Sequence, residues 1–232
     1  RIFFNNIMIN TLLLEYARKH KVKKFINLNT INAYPESDDL LKESNIWNGF
    51  PNRDIFSYGI SKRVSLAQSL AYFLQYDFSS INLILDNTYG PYDNFNPNDS
   101  RVIPALIHKF YSAKKKKIKD VNVWGSGNSI RQFLYVKDLV KIIYLFITNN
   151  YEKNIIINIS NGKSITIKEL ALKIATQINY SGKIIFDNHK PEGSNIRIMD
   201  NSLMKDFINF NSFTSIDKGL KETISWYKSF VL

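Results

Sequence analysis

The sequence has no cysteine, which excludes disulfides and thiolate chemistry. It has no apolar run approaching the roughly 20 residues needed to cross a bilayer. Its first residues, Arg1-Ile2-Phe3-Phe4-Asn5-Asn6, lack the ordered charged, apolar and small-residue regions of a secretory signal. Histidines are few and not paired at ligand spacing, so no metal site is indicated. A cytoplasmic protein is the simplest expectation. Acidic residues are also scarce, with 20 Asp+Glu against 31 Lys+Arg and a formal charge of +11. That balance favours anionic partners such as phosphates. The densest basic cluster is Lys114-Lys115-Lys116-Lys117, with Lys119 close by. A solvated loop after a helix is the expected reading of it. Nucleic-acid binding, which needs basic and aromatic residues clustered on one surface, is not expected.

What is present is a chain of 232 residues, 44% hydrophobic, enough for one large or two modest domains with a real core. Helical and strand patterns alternate. Ile9 to Val22 carries apolar residues at helical spacing and ends in a basic turn. Phe25 to Leu28 reads as a short strand, Tyr58 to Tyr76 as a long amphipathic helix, and Ile81 to Leu85 as a buried parallel strand. Helices are expected over Val102 to Ala113 and Val136 to Asn149. Strands are expected at Val121 to Trp124, Gln132 to Val136, Ile155 to Ile159 and Ile184 to Phe186. Thr166 and Glu169 have capping-box spacing before a helix at Lys168 to Ile178. Ser215 to Lys228 closes the chain as a helix. Strands alternating with helices imply an α/β fold with a mainly parallel sheet, where ligands bind beyond the carboxyl ends of the strands.

Three features point to chemistry there. Thr30 lies just past the strand at Phe25. Tyr58-Gly59-Ile60-Ser61-Lys62 places Tyr and Lys on one helical face. Ile81 to Leu85 runs into Asn87-Thr88-Tyr89-Gly90-Pro91. A phenol with a pKa near 10 is a poor catalyst at neutral pH, but an ammonium one turn away favours the phenolate. Such a phenol can exchange a proton with a hydroxyl or carbonyl while a hydride moves.

Tyr58-x-x-x-Lys62, with Thr30 five residues before Pro35, resembles the catalytic set of the extended short-chain dehydrogenases/reductases, the NAD-dependent epimerase/dehydratase family. Other stretches resemble the GDP-L-fucose synthase branch. They are Asn87 to Pro97, Ser100 to Ile107, Val123-Trp124-Gly125-Ser126-Gly127, Arg131 to Asp138, and Lys190-Pro191-Glu192-Gly193. The resemblance covers essentially the whole chain. It implies an α/β fold: the C-terminal part of a Rossmann-like doubly wound parallel sheet plus a smaller α/β substrate-binding domain. Residues 1–100 would form a partial NAD(P)-binding Rossmann domain. Residues 101–232 would be mainly substrate-binding, with segments returning to the Rossmann sheet.

The resemblance also implies roles. Thr30, Tyr58 and Lys62 would be catalytic, and Tyr58, Lys62 and Asn87 would meet NADP(H) or NAD(H). Asn87, Arg101, Lys109, Trp124, Arg131 and Lys190 would face a nucleotide-sugar, the cations gripping its pyrophosphate. For Trp124 a core position is the simpler reading. A homodimer is expected of the complete enzyme.

Two departures from the family matter. No G-x-G-x-x-G occurs, and Gly49, Gly59 and Gly90 are isolated. Roughly 80 residues carrying the diphosphate-binding turn are therefore expected to be absent, leaving weak or no cofactor binding and exposed apolar sheet surface. The family's epimerising Cys and His correspond here to Asn32 and Arg101, neither of which can serve as that acid-base pair. None of His20, His108 and His189 is an obvious substitute. The implied activity is C4-keto reduction of a nucleotide-linked, GDP-type keto-deoxy sugar or heptose. The alternatives are a 4-epimerase of the same superfamily or a non-catalytic remnant. Leu28 to Asn32 contains no carboxylate, which disfavours dehydration.

Overall fold

The computed structural model describes residues 1–149, 154–190 and 193–230. In chain order the elements are α1 (Ile2–Lys19), β1 (Phe25–Thr30), α2 (Phe56–Tyr76), β2 (Ser80–Leu85), β3 (Asn87–Tyr89), α3 (Val102–Lys115), β4 (Asp120–Trp124), β5 (Ile130–Tyr135), α4 (Val136–Thr148), β6 (Ile155–Ile159), β7 (Ser164–Thr166), α5 (Ile167–Ile178), β8 (Lys183–Asp187), β9 (Ile196–Arg197), α6 (Ser202–Phe207) and α7 (Ile216–Phe230). Short 3-10 turns at Ile31–Ala33, Glu43–Trp47 and Arg53–Ile55 fill the passage from β1 to α2. That passage, β9 and α6 have no periodic apolar signature and were not foreseen from sequence. Every helix and strand that was expected is present, most of them extended by one or a few residues, and α1 begins seven residues earlier.

The chain divides into two compact units. Unit 1 comprises residues 1–86, 140–162 and 198–211; unit 2 comprises residues 87–139, 163–197 and 212–232.

Unit 1 is built on the parallel sheet β1-β2-β6. Its middle strand, Ser80-Ile81-Asn82-Leu83-Ile84-Leu85, is buried along almost its whole length, as a central parallel strand requires. On one side an apolar cluster gathers Ile31, Tyr34, Leu41, Ile46, Leu66, Ile84 and Met199. The buried Tyr34 phenol donates to Asn158 Oδ1 at 2.7 Å. The amide of Asn158 in turn donates to the carbonyls of Leu41 and Asp200. Helices α1 and α2 meet through a polar seam: Asn10 with Gln68, Gln68 with Thr11, and Tyr72 with Glu15. Much of the remaining surface of α1 is apolar and exposed, including Ile2, Phe4, Ile9, Leu13 and Tyr16.

Unit 2 carries β3, β5, β7 and β9 in one mixed sheet and the parallel pair β4-β8 in another. Helices α3, α5 and α7 close over a core that includes Leu106, Phe110, Leu170, Ile174, Ile178, Leu220 and Tyr227. The capping box at α5 is formed as its spacing indicates. Thr166 Oγ1 accepts from the Glu169 amide at 3.1 Å, and Glu169 Oε2 accepts from the Thr166 amide at 2.9 Å. Hydrogen bonds from Thr166 hold the Glu169 carboxyl below its ordinary pKa. Gly219 lies inside α7 because a Cβ there would strike the Tyr89 ring, with Cζ only 2.9 Å away. The lysine run is a helix end rather than a patch. Lys114 and Lys115 occupy the last turn of α3, where cations complement the helix dipole. Lys114 Nζ donates to the carbonyl of Ile178 at 2.8 Å. Among the described residues no helix is long and apolar enough to cross a membrane, and no group of three or more His, Cys, Asp or Glu side chains is placed to hold a metal ion.

Candidate functional site

Thr30 ends β1 and is buried. Its hydroxyl accepts from the amide of Asn32 at 3.3 Å, capping the short turn that follows. Tyr58 and Lys62 lie one turn apart near the start of α2 and are both half-buried. Lys62 Nζ reaches back to β1 and donates to the carbonyl of Leu28 at 3.1 Å. Burial pushes the Lys62 ammonium below its usual pKa, because desolvation disfavours the charged form. The structure therefore brings the strand end bearing Thr30 against the helical turn bearing Lys62.

A second stripe of α2 fixes the intervening loop. Gly59 and Arg63 are also one turn apart and both are buried. A Cβ on Gly59 would lie 2.7 Å from Cβ of Pro51, so only glycine permits this approach. Among the described residues Arg63 has no carboxylate partner. Its Nε and Nη2 donate to the carbonyl of Ala33 at 2.9 and 2.5 Å, and its Nη1 donates to the carbonyl of Gly49. Burial lowers the pKa of this guanidinium as well.

Beneath the Lys62 turn runs a sealed polar network. Asn27 donates to Ser65 Oγ and to Asn82 Oδ1, both at 3.0 Å. Ser69 Oγ donates to Asn82 Oδ1 at 2.9 Å. Asn29 donates to the carbonyl of Lys62 at 2.7 Å and to Ser65 Oγ at 3.0 Å, and accepts from the amide of Thr30 at 2.8 Å. Sequence reasoning missed these residues. The available signal was two Asn at alternate strand positions matched by Ser65 and Ser69, one turn apart on the next helix.

The remaining expected residues belong to unit 2. Lys109, on α3, donates to the carbonyl of Asn122 at 2.9 Å and stands 5.8 Å from the Trp124 ring. Burial lowers its pKa. Lys190 stands 5.9 Å from the same ring. Both distances are within cation–π range. The core reading of Trp124 is overturned: the side chain is 60% exposed. Alternation along β4 sends Val121 and Val123 inward and Trp124 outward. Arg131, on β5, donates to the carbonyls of Ile130, Ser194 and Asn195, at 2.8, 2.6 and 3.3 Å, and so anchors the segment just after Lys190. Pro191 and Glu192 lie outside the described residues. Asn87 donates to the carbonyl of Gln132 at 3.0 Å. Arg101 is exposed at the head of α3, about 12 Å of helix rise from Lys109, and is not drawn into the Trp124 cluster. His108 is engaged elsewhere, its Nδ1 lying 2.8 Å from the Tyr227 hydroxyl.

Residues 1–160 match the model of the NAD dependent epimerase/dehydratase family. The chain is 32% identical over 224 residues to the probable GDP-L-fucose synthase 1 of Oryza sativa subsp. japonica, spanning 96% of this chain and 68% of that protein. It superposes with a TM-score of 0.91 on the GDP-L-fucose synthetase of Naegleria fowleri bound to NADP, at 26% identity, covering 99% of this chain and 73% of the other. A GDP-6-OMe-4-keto-L-xylo-heptose reductase from C. jejuni gives a TM-score of 0.88 at 26% identity, covering 99% and 77%. With family model, sequence relatives and solved structures in agreement, the chain belongs to the NAD dependent epimerase/dehydratase family and is a relative of the GDP-L-fucose synthases.

Proposed function

We propose that this chain carries out nicotinamide-dependent reduction of the C4 ketone of a GDP-linked keto-deoxy sugar or heptose, without epimerisation at C3 and C5. The observation that carries the reading is the junction of β1 with α2, where Lys62 binds the carbonyl of Leu28 beside Thr30, one turn from Tyr58. A bound nicotinamide would supply the hydride. The Tyr58 phenol donates a proton to the sugar's C4 oxygen as that carbon is reduced, and Thr30 Oγ1 hydrogen-bonds the same oxygen. The Lys62 ammonium stabilises the phenolate left behind. The donor set fits the cofactor: an ammonium has three N–H donors, and with Leu28 taking one, the others suit ribose hydroxyls. Lys109, Arg131 and Lys190 hold the sugar's diphosphate, with Asn87, Arg101 and Trp124 as further contacts.

Loss of epimerisation is supported by Asn32 and Arg101, since an amide does not titrate and a guanidinium stays protonated. The heptose reductase among the structural neighbours favours the reductive reading over 4-epimerisation. The test is to run the complete enzyme in D2O with a GDP-4-keto sugar and NADPH. Loss of NADPH absorbance with no deuterium at C3 or C5 is expected. Deuterium at either carbon, or net C4 inversion without NADPH consumption, would overturn the proposal.

A further inference from the structure

We infer that Asn29 is a positioning residue that locks Thr30 to the Lys62 turn of α2; the inference rests on the catalytic reading proposed for Thr30, Tyr58 and Lys62. Asn29 is 3% exposed, so its amide must find partners inside the protein. It finds them on both flanks of the reaction centre. Its Oδ1 accepts from the amide of Thr30 at 2.8 Å, and its Nδ2 donates to the carbonyl of Lys62 at 2.7 Å and to Ser65 Oγ at 3.0 Å. Ser65 Oγ donates to that same Lys62 carbonyl at 2.7 Å. On the other side of Asn29 in the strand, the carbonyl of Leu28 receives Lys62 Nζ. Asn29 and Thr30 are thereby tied to one helical turn by a planar group with no rotatable bond between its acceptor and its donor, and Leu28 is tied to the same turn by the Lys62 ammonium.

The amide touches neither substrate nor cofactor in this reading; it acts through Thr30 and Lys62. Displacing a catalytic group by about 1 Å costs about 100-fold in rate, and removal of this tie frees two such groups at once. Asn27 supplies an internal control. It belongs to the same buried network, bonding Ser65 Oγ and Asn82 Oδ1, but its amide hydrogen-bonds neither Thr30 nor Lys62.

The experiment compares Asn29→Ala, Asn27→Ala and Tyr58→Phe in the complete enzyme, with Asn29→Ser as a smaller polar substitute in case Asn29→Ala does not fold. Steady-state kinetics are read beside hydrogen exchange at the Thr30 amide. Asn29→Ala and Asn29→Ser are expected to lower kcat by about 30- to 100-fold with KM for the keto sugar within about 3-fold, and to speed exchange at Thr30. Asn27→Ala is expected to lose comparable stability while keeping kcat within about 3-fold and slow exchange at Thr30. Equal kcat losses at Asn27 and Asn29, or unchanged Thr30 exchange in the Asn29 variants, would make Asn29 a purely structural residue and sink the inference. Full activity in Tyr58→Phe would instead sink the catalytic reading, while the Thr30 exchange would still decide whether the tie exists.

Discussion

In unit 1 the groups around the Lys62 turn are neutral amides and hydroxyls sealed from water, whereas in unit 2 the cations lie at or near the surface, against Trp124 and the segment at 194–195. The two arrangements suit different tasks. Proton transfer demands that donor and acceptor be placed to within a fraction of an ångström, and a satisfied buried network supplies that rigidity. Holding a diphosphate, the task proposed for unit 2, demands charge within reach, and long side chains against an exposed aromatic ring supply it. Even the cations on the α2 turn obey the division. In unit 1 the buried Arg63 spends its donors on the carbonyls of Ala33 and Gly49, and Lys62 commits one donor to the carbonyl of Leu28, fixing the loop and strand that flank Tyr58.

The largest effect is expected at Tyr58. Tyr58→Phe removes only the acidic oxygen, so kcat should fall by about 100- to 10,000-fold with folding intact; an assay of NADPH oxidation beside a thermal melt measures both. Next, the seal itself can be opened. Asn82→Ala strips a partner from Asn27, from Ser69 and from the carbonyl of Ile155. Urea unfolding should record a loss of about 3 kcal/mol, since each buried group left unsatisfied costs about 1–3. In unit 2 the corresponding change should leave stability almost untouched. Trp124→Ala removes two exposed cation–π contacts and is expected to raise KM for the nucleotide-sugar about 3- to 10-fold, with kcat unchanged and stability altered by no more than about 0.5 kcal/mol. A large stability loss there would erase the contrast between the units.

The smallest effect concerns the seam between α1 and α2. Glu15 receives Arg18 at 2.8 Å, and that hydrogen bond holds its carboxyl down to about 2, well below the usual carboxylate range. A depressed carboxylate contributes stability that is complete above the unfolded value and lost as pH falls through the folded one. Glu15→Gln should therefore lower Tm slightly at pH 6. The gap from the wild type should close between about pH 4.5 and pH 2.

The broad outline was legible in the chain. Alternating periodicities gave the α/β class, Thr166 and Glu169 announced the start of α5, and Tyr58-x-x-x-Lys62 declared its own shared face through the pitch of a helix. Less legible was which side of a strand faces inward. The alternation Ile26-Asn27-Leu28-Asn29 reads as apolar-in and polar-out, yet Asn27 and Asn29 are 6% and 3% exposed while Leu28 is 41% exposed. Trp124 was misplaced for the same reason, its hydrophobicity suggesting core while its strand parity set it outward.

Local geometry was set within the chain, because helix pitch, strand pleat and capping chemistry depend on residues only a few positions apart. Tertiary structure alone decided the inverted faces of β1 and the tie between Thr30 and Lys62. A buried amide is tolerable only where partners from another element meet it, and Ser65, Asn82 and the carbonyl of Lys62 reach Asn27 and Asn29 only once the chain has folded.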